Sequence, residues 1–336
     1  MLKWWWRKFM ANEKKSSLLY ILKILQEGTD EKHKLTYLEI ASKLYSRFGI
    51  ELERKTIASS IDVLLHHGFD IVKCGKNGLF LGERDFEEGE LLFLIDAIYS
   101  SKSMPTKYAK DLVSKLTKTF SRFERKKFEH LEKIDDGASL DGKQIFYTIE
   151  VLNNAIEQKK KVEFQYGGYD INKKLKLKGD GKFYKINPYF MVNNRGKYYL
   201  VCNYDKYDDI SNYKIECISN IKILDEDVKP IEVASGKERF SIKDYIQEHI
   251  YMMAGKTVNA KVKLESEEKV NDFVDWFGKD VSFSKENGEI FASLKVNEDA
   301  LCYWALQYGE HAEIVAPADT RKKIKQIIEK MLEKYK

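Results

Sequence analysis

Arg195-Gly196-Lys197-Tyr198-Tyr199-Leu200-Val201 sets two tyrosines on opposite faces of one strand, beside two cations. Tyr166 closes an earlier strand-like run, Tyr213-Lys214 opens a later one, and Asn203 ends the run that holds Tyr199. Phenol rings that stack, next to ammonium and guanidinium groups that hold phosphate, are what a nucleotide or oligonucleotide pocket requires. Ordinary barrel packing explains the same residues, with one aromatic buried per strand and the lysines in water. On chemistry alone, packing is the stronger reading. A second constellation is Arg54-Lys55-Thr56, with Ser59 and Ser60 one turn on, followed by Lys73, Lys76 and Asn77. Cations, hydroxyls and amides of these sizes reach phosphate oxygens and base edges.

Other reactive residues carry less. His66-His67 are adjacent and so share no helical face, and no further His or Cys stands near them in sequence. Two histidines at a helix end, interacting with its dipole, explain the pair better than a metal. Cys74, Cys202, Cys217 and Cys302 form no CxxC pair, which argues against a zinc cage, a redox motif and a disulfide scaffold. No GxSxG, HExxH or GxxxxGK[ST] frames the Ser, Cys and His residues. Lys178-Gly179-Asp180-Gly181-Lys182 lacks the spacing and following helix of a phosphate loop, so a hairpin turn is expected there. The expectation is a binding protein with no metal, no cofactor and no catalytic residue.

The elements that must position these residues can be read from periodicity. In residues 14–83, Leu18, Leu19, Ile21, Leu22 and Leu25 form one helical stripe. Thr36-Tyr37-Leu38-Glu39 is a capping box that opens a second helix, closed by Gly49. A third runs from about Glu53 to His67, with Ile57, Ile61, Leu64 and Leu65 facing inward. Two apolar runs, Ile71 to Cys74 and Leu79 to Leu81, flank Gly75-Lys76-Asn77-Gly78 and predict a hairpin. This is the order of a winged helix-turn-helix, in which the third helix enters the major groove and the wing touches phosphates.

Residues 84–143 read as a helical linker or dimerisation region: Phe86 to Tyr99, then Lys107 to about Phe120, with Ser121 to Lys133 as a continuation. Residues 144–229 open with a helix, Gln144 to Gln158. Strand-like runs follow at 162–166, 182–186, 189–192, 197–203 and 213–218, the spacing of a small barrel. Residues 230–336 give strand, helix, a hairpin over Asn287-Gly288, helix, strand and a last helix after Pro317. The order βαββαβ is that of a ferredoxin-like unit. The fold class is therefore α+β and multidomain.

The chain has 336 residues, 43% of them hydrophobic, which is enough to build several cores and excludes wholesale disorder. No apolar run is long enough for a membrane span, and a cytoplasmic protein is expected. The formal charge of +5 is too weak to prove a nucleic-acid partner by itself. Its distribution says more: +4 falls on residues 1–83 and +3 on 144–229, with a neutral bridge and a C-terminal part of −2. Met1 to Phe9 holds Trp4, Trp5 and Trp6 between Lys3, Arg7 and Lys8, and is expected to be an extension ahead of a natural start at Met10.

Over about residues 14 to 335 the chain resembles the WYL-domain transcriptional regulators. Tyr198-Tyr199-Leu200 stands where that family has Trp-Tyr-Leu. Pro188-Tyr189 matches its proline-aromatic feature, and Tyr166 its tyrosine-ended strand. Tyr213-Lys214-Ile215-Glu216-Cys217-Ile218 matches a later stretch that carries two arginines, replaced here by Lys214 and Cys217. Lysine cannot reproduce the bidentate geometry of a guanidinium. Trp304 to Gly309 and Glu313 to Pro317 resemble the family's C-terminal extension domain. The resemblance implies an Sm-like, SH3-type β-barrel (WYL) that senses a nucleotide or nucleic-acid ligand and a homodimer that reads an operator in double-stranded DNA. A different class stays open at this point, an accessory factor that binds nucleic acid or nucleotide and uses its winged helix for protein contacts.

Overall fold

The computed structural model describes residues 16–133, 142–172 and 174–336, so the expectation for Met1 to Phe9 lies outside the described residues. The chain divides into two compact units, residues 1–137 and 138–336.

In the first unit, α1 covers residues 16–28, α2 is Tyr37–Phe48 and α3 is Arg54–His66. The capping box forms as expected: the Glu39 backbone N–H donates to Thr36 Oγ1, and the Thr36 N–H donates to Glu39 Oε2 at 2.7 Å. Ile21, Ile24, Leu25, Ile40, Leu44, Ile57 and Ile61 are fully or almost fully buried in one core. Strands β1 (Ile71–Lys73) and β2 (Leu79–Leu81) pair antiparallel and close that core, with a short 3₁₀ turn at Gly75–Asn77 between them. Leu35 adds a bridge to Leu79 on the free side of the hairpin.

Helices α4 (Glu88–Ser100) and α5 (Thr106–Thr117) pack through Leu91, Ile95, Val113 and Leu116. The expected continuation through Lys133 does not occur. Ser121 accepts from the Glu124 N–H at 3.1 Å and caps a separate one-turn helix, α6 (Arg122–Arg125). Ser121 also donates to Asp30 at 2.9 Å, and the buried Arg84 guanidinium donates to the carbonyls of Gln26 and Thr29. These bonds tie the helices to the three-helix module.

The second unit opens with α7 (Gly142–Glu157), which lays Leu152 and Ala155 onto a curled antiparallel sheet. Its strands are β3 (Lys160–Tyr169), β4 (Leu175–Leu177), β5 (Phe183–Asn194), β6 (Lys197–Tyr204), β7 (Ser211–Lys214) and β8 (Ile218–Asp227). The order is β4-β3-β5-β6-β7, with β8 on β3. Two details differ from the periodicity. The runs 182–186 and 189–192 are one strand, because Pro188 sits at a bulge where no ladder donor is needed. The run 213–218 is broken by a 3₁₀ turn at Ile215–Cys217, after which β8 starts.

Short helices α8 (Ile231–Ser235) and α9 (Ile242–Glu248) lead to β9 (Thr257–Leu264), α10 (Lys269–Phe277), β10 (Ser282–Glu286), β11 (Glu289–Asn297), α11 (Glu298–Tyr308), β12 (Ala312–Ala316) and α12 (Ala318–Lys334). The sheet order is β10-β11-β9-β12, all antiparallel, over a core that holds Phe273, Trp304 and Ala300.

Candidate functional site

The geometry of the curled sheet decides which of the expected ligand residues meet. Strand β6 has two faces. Leu200 and Cys202 point into the barrel core with Tyr198 and Tyr204, while Val201 and Tyr199 join a second cluster under α9, with Tyr245 and Met252. Tyr199 lies directly opposite Lys214 on β7. Tyr166 reaches the same place from β3, and its hydroxyl accepts from the Lys214 N–H at 3.3 Å. The Lys178 ammonium lies 5.7 Å from the centre of the Tyr166 ring. Burial keeps the Cys217 thiol above its ordinary pKa and Glu216 adds to that, while Lys214, Lys178 and Lys197 all pull it the other way. Three lysines therefore act electrostatically on one buried thiol.

The phenols around it are weak acids made weaker. Burial raises Tyr166 most, and Cys217, Tyr199 and Glu216 add to the effect. Tyr199 is raised by burial and then by Glu216. Tyr169, at the end of β3, is pushed up to about 12, again chiefly by burial. These hydroxyls stay protonated at neutral pH and can donate to an anion. Elsewhere on the barrel, Lys160, Lys161, Lys185, Lys222 and Lys229 are each ion-paired with a carboxylate. Lys178, Lys197 and Lys214 form no such pair among the described residues. Three lysines outside any ion pair, set with protonated phenols and the single carboxylate of Glu216, are suited to phosphate.

Three of the expected ligand residues sit elsewhere. Tyr213 packs edge-on against Tyr166 at 4.8 Å and Phe164 at 5.4 Å inside the barrel core, so its ring is committed to packing. Asn203 is fully buried. Its amide donates to the carbonyls of Tyr207 (2.6 Å) and Asp209 (2.8 Å), and its oxygen accepts from Asn187 at 2.9 Å. Every polar atom of that side chain is used internally, so its place in the ligand set is corrected to a structural one. Arg195 turns away from the tyrosines and lays its guanidinium 3.5 Å from the centre of the Trp276 ring on α10. Tyr166, Lys197, Tyr199 and Lys214 remain.

Tyr169 and Lys178 join them without warning from the sequence. Gly167-Gly168 reads as a turn, yet β3 continues through both. A Cβ on Gly167 would lie 2.8 Å from the Lys176 carbonyl, so glycine lets β4 close in and brings Lys178 to Tyr166. The Lys178–Lys182 stretch holds a 3₁₀ turn leading into β5, and the expected hairpin does not form there, because β4 and β5 each pair with β3 and not with one another.

In the first unit, Arg54, Lys55, Thr56 and Ser59 are exposed on the first turns of α3, and Lys76 and Asn77 at the tip of the hairpin. Arg54 sits 5.6 Å from the Tyr37 ring centre, which holds it against α2. Ser60 is half-buried and spends its hydroxyl on the Thr56 carbonyl at 2.9 Å. Lys73 is ion-paired with Asp62 of α3 at 2.6 Å, a bond that raises its pKa. His67 Nδ1 lies 2.9 Å from the Val63 carbonyl, a helix-end contact in line with the sequence reading. Among the described residues no group of three or more His, Cys, Asp or Glu side chains could hold a metal ion. Nor is any helix there long and apolar enough to cross a membrane.

The fold and site define an α+β chain with a curled antiparallel sheet that gathers lysines and tyrosines at one strand end. Residues 147–223 match the WYL domain and residues 256–332 the WCX domain. The chain is a WYL- and WCX-domain protein, and this pairing fits the WYL-containing regulator family. No curated protein matches it. Among solved structures it is similar to Proteasome accessory factor B/C (PafBC) of Arthrobacter aurescens, at 14% identity and a TM-score of 0.30 over 95% of this chain and 48% of that one. It is also similar to a CRISPR Cas-related protein, at 17% identity and a TM-score of 0.37 over 57% of this chain and 52% of that one. The chain thus spans about half the length of each.

Proposed function

We propose that this chain is a DNA-binding transcriptional regulator whose activity is set by a ligand at the WYL domain. In this reading residues 16–83 are a winged helix-turn-helix, with α3 as the recognition helix and the β1–β2 hairpin as the wing. The carrying observation is the exposed cluster of Arg54, Lys55, Thr56 and Ser59 at the start of α3, with Lys76 and Asn77 beside it on the hairpin. The barrel is read as Sm-like. The C-terminal sheet is read as ferredoxin-like, supported by its order, which counted within that domain is 4-1-3-2. The effector is a nucleotide or short single-stranded nucleic acid, held by Lys178, Lys197 and Lys214 and by the phenols of Tyr166, Tyr169 and Tyr199. The regulator acts in the cytoplasm as a homodimer on a two-fold operator and by binding alone, without turnover.

The test is a gel shift with the DNA upstream of its own gene at low and moderate salt. A shift that weakens with Arg54→Ala/Lys55→Ala supports the reading. No shift at low salt, with or without cell extract, removes it. The second reading, an accessory factor whose winged helix contacts protein, is favoured by the Lys73–Asp62 pair, which occupies one wing cation. Oligonucleotide protection by residues 138–336 but none by α3 would select it.

A further inference from the structure

The turn between β5 and β6 has a residue that its backbone does not favour. Asn194 pairs with Lys197, so the loop is the two residues Arg195-Gly196, with φ of 52° and 78°. Two left-handed residues make a type I′ hairpin, whose first position favours asparagine. The same chain supplies the comparison. The β10–β11 hairpin closes with Glu286 opposite Glu289 and uses Asn287-Gly288, at φ 51° and 85°. One hairpin has the favoured residue, and the other has an arginine in the same strained region.

That arginine is the one stacked on Trp276. Around it the contacts are dense. Asn194 Nδ2 donates to the Ile250 carbonyl at 3.2 Å. The Tyr251 ring packs against Trp276 at 5.3 Å, and the Trp276 Nε1–H donates to the Tyr308 hydroxyl at 2.7 Å. Tyr308 stacks on Trp304, a core residue of the C-terminal sheet. A continuous series of packed groups therefore runs from the β5–β6 turn into the WCX domain. The turn is also the start of β6, two residues from Lys197 and four from Tyr199.

We propose that Arg195 is a coupling residue. Its guanidinium on Trp276 locks the WCX domain to the β5–β6 turn, so that a ligand held at Lys197 and Tyr199 is felt at α10. The ligand half of this rests on the reading in the preceding subsection, and the lock itself does not. Binding energy can shift a second site only through groups that differ between the two states, and the stacked cation is such a group.

The experiment is amide hydrogen exchange on the full chain, as wild type, Arg195→Asn, Arg195→Lys and Trp276→Leu. Asparagine suits the left-handed turn, so Arg195→Asn keeps the hairpin while removing the cation. Without ligand, Arg195→Asn and Trp276→Leu are expected to speed exchange in α10 about fivefold, with β3 and β8 unchanged and Arg195→Lys in between. Exchange in α10 that is the same in wild type and Arg195→Asn overturns the proposal. The second arm adds a 5′-phosphorylated oligo-dT of about eight nucleotides. Wild type should change its α10 protection on binding, and Arg195→Asn should bind equally well without that change. An equal change in both proteins also overturns the coupling. If the oligonucleotide fails to bind wild type, the ligand reading falls, and the first arm still decides the lock.

Discussion

Asn203 separates a ligand role from a structural one with a single substitution. Its side chain is fully buried and makes three hydrogen bonds, to Asn187, Tyr207 and Asp209. Asn203→Ala removes all three, at about 1 kcal/mol each, and takes the donor from the Tyr207 and Asp209 carbonyls. Asn187 keeps its second bond, to Asp205 at 3.1 Å, which limits the damage on that side. The expected loss is about 4 kcal/mol for the barrel. For a domain of this size 1 kcal/mol moves the midpoint by roughly 4–8 °C, so the barrel transition should fall by about 15 °C or more. Thermal unfolding, with hydrogen exchange in β6 and β7 to assign the transition, measures it. A variant that unfolds within about 1 kcal/mol of wild type and has lost oligonucleotide binding refutes the structural assignment.

Arg54→Ala/Lys55→Ala should weaken DNA binding at all sequences and reduce the slope of log affinity against log salt by about 2, near 0.9 per lost phosphate contact. An unchanged slope in a filter-binding titration would remove α3 from the interface. Lys214→Ala should weaken oligo-dT binding about tenfold at low salt, with the deficit shrinking in high salt, and an equal deficit in both would contradict an electrostatic role. Burial lowers the pKa of His249, which stacks on Tyr245 at 4.1 Å. Below about pH 6.5 the unfolded chain takes up a proton that the folded chain refuses, so stability falls as pH drops through that point. His249→Gln should flatten this part of the profile, and identical slopes between pH 7 and 5.5 in the two proteins would refute the assignment.

Local signals gave reliable outlines. The Thr36–Glu39 capping box, the Gly75–Gly78 and Asn287-Gly288 hairpins and the α11 helix are all determined within a few residues of chain, by hydrogen bonds and turn geometry that neighbours supply. Strand β8 was not legible. Ile218 to Asp227 alternates weakly and ends in acids, and it becomes a strand because β3 offers it a full edge. The break at Ser121 was visible as a capping residue with Glu three positions on, but a helical stripe continued across it and masked the cap.

By itself the sequence determined the two families of side chains, cations with small hydroxyls on α3 and cations with phenols on the barrel strands, because residue type fixes charge and donor inventory. It also determined that Lys214 and Cys217 replace arginines of the resembling family. Tertiary structure alone decided which of them meet. Alternation along β6 says that Tyr199 and Asn203 share a face, but not that Asn203 is sealed under a loop while Tyr199 lies opposite Lys214. Nor does it say that Arg195, two residues from Lys197, spends its cation on an indole from another domain. Burial and pairing depend on what the curled sheet brings alongside, and those partners can lie 81 positions apart along the chain, as Arg195 and Trp276 do.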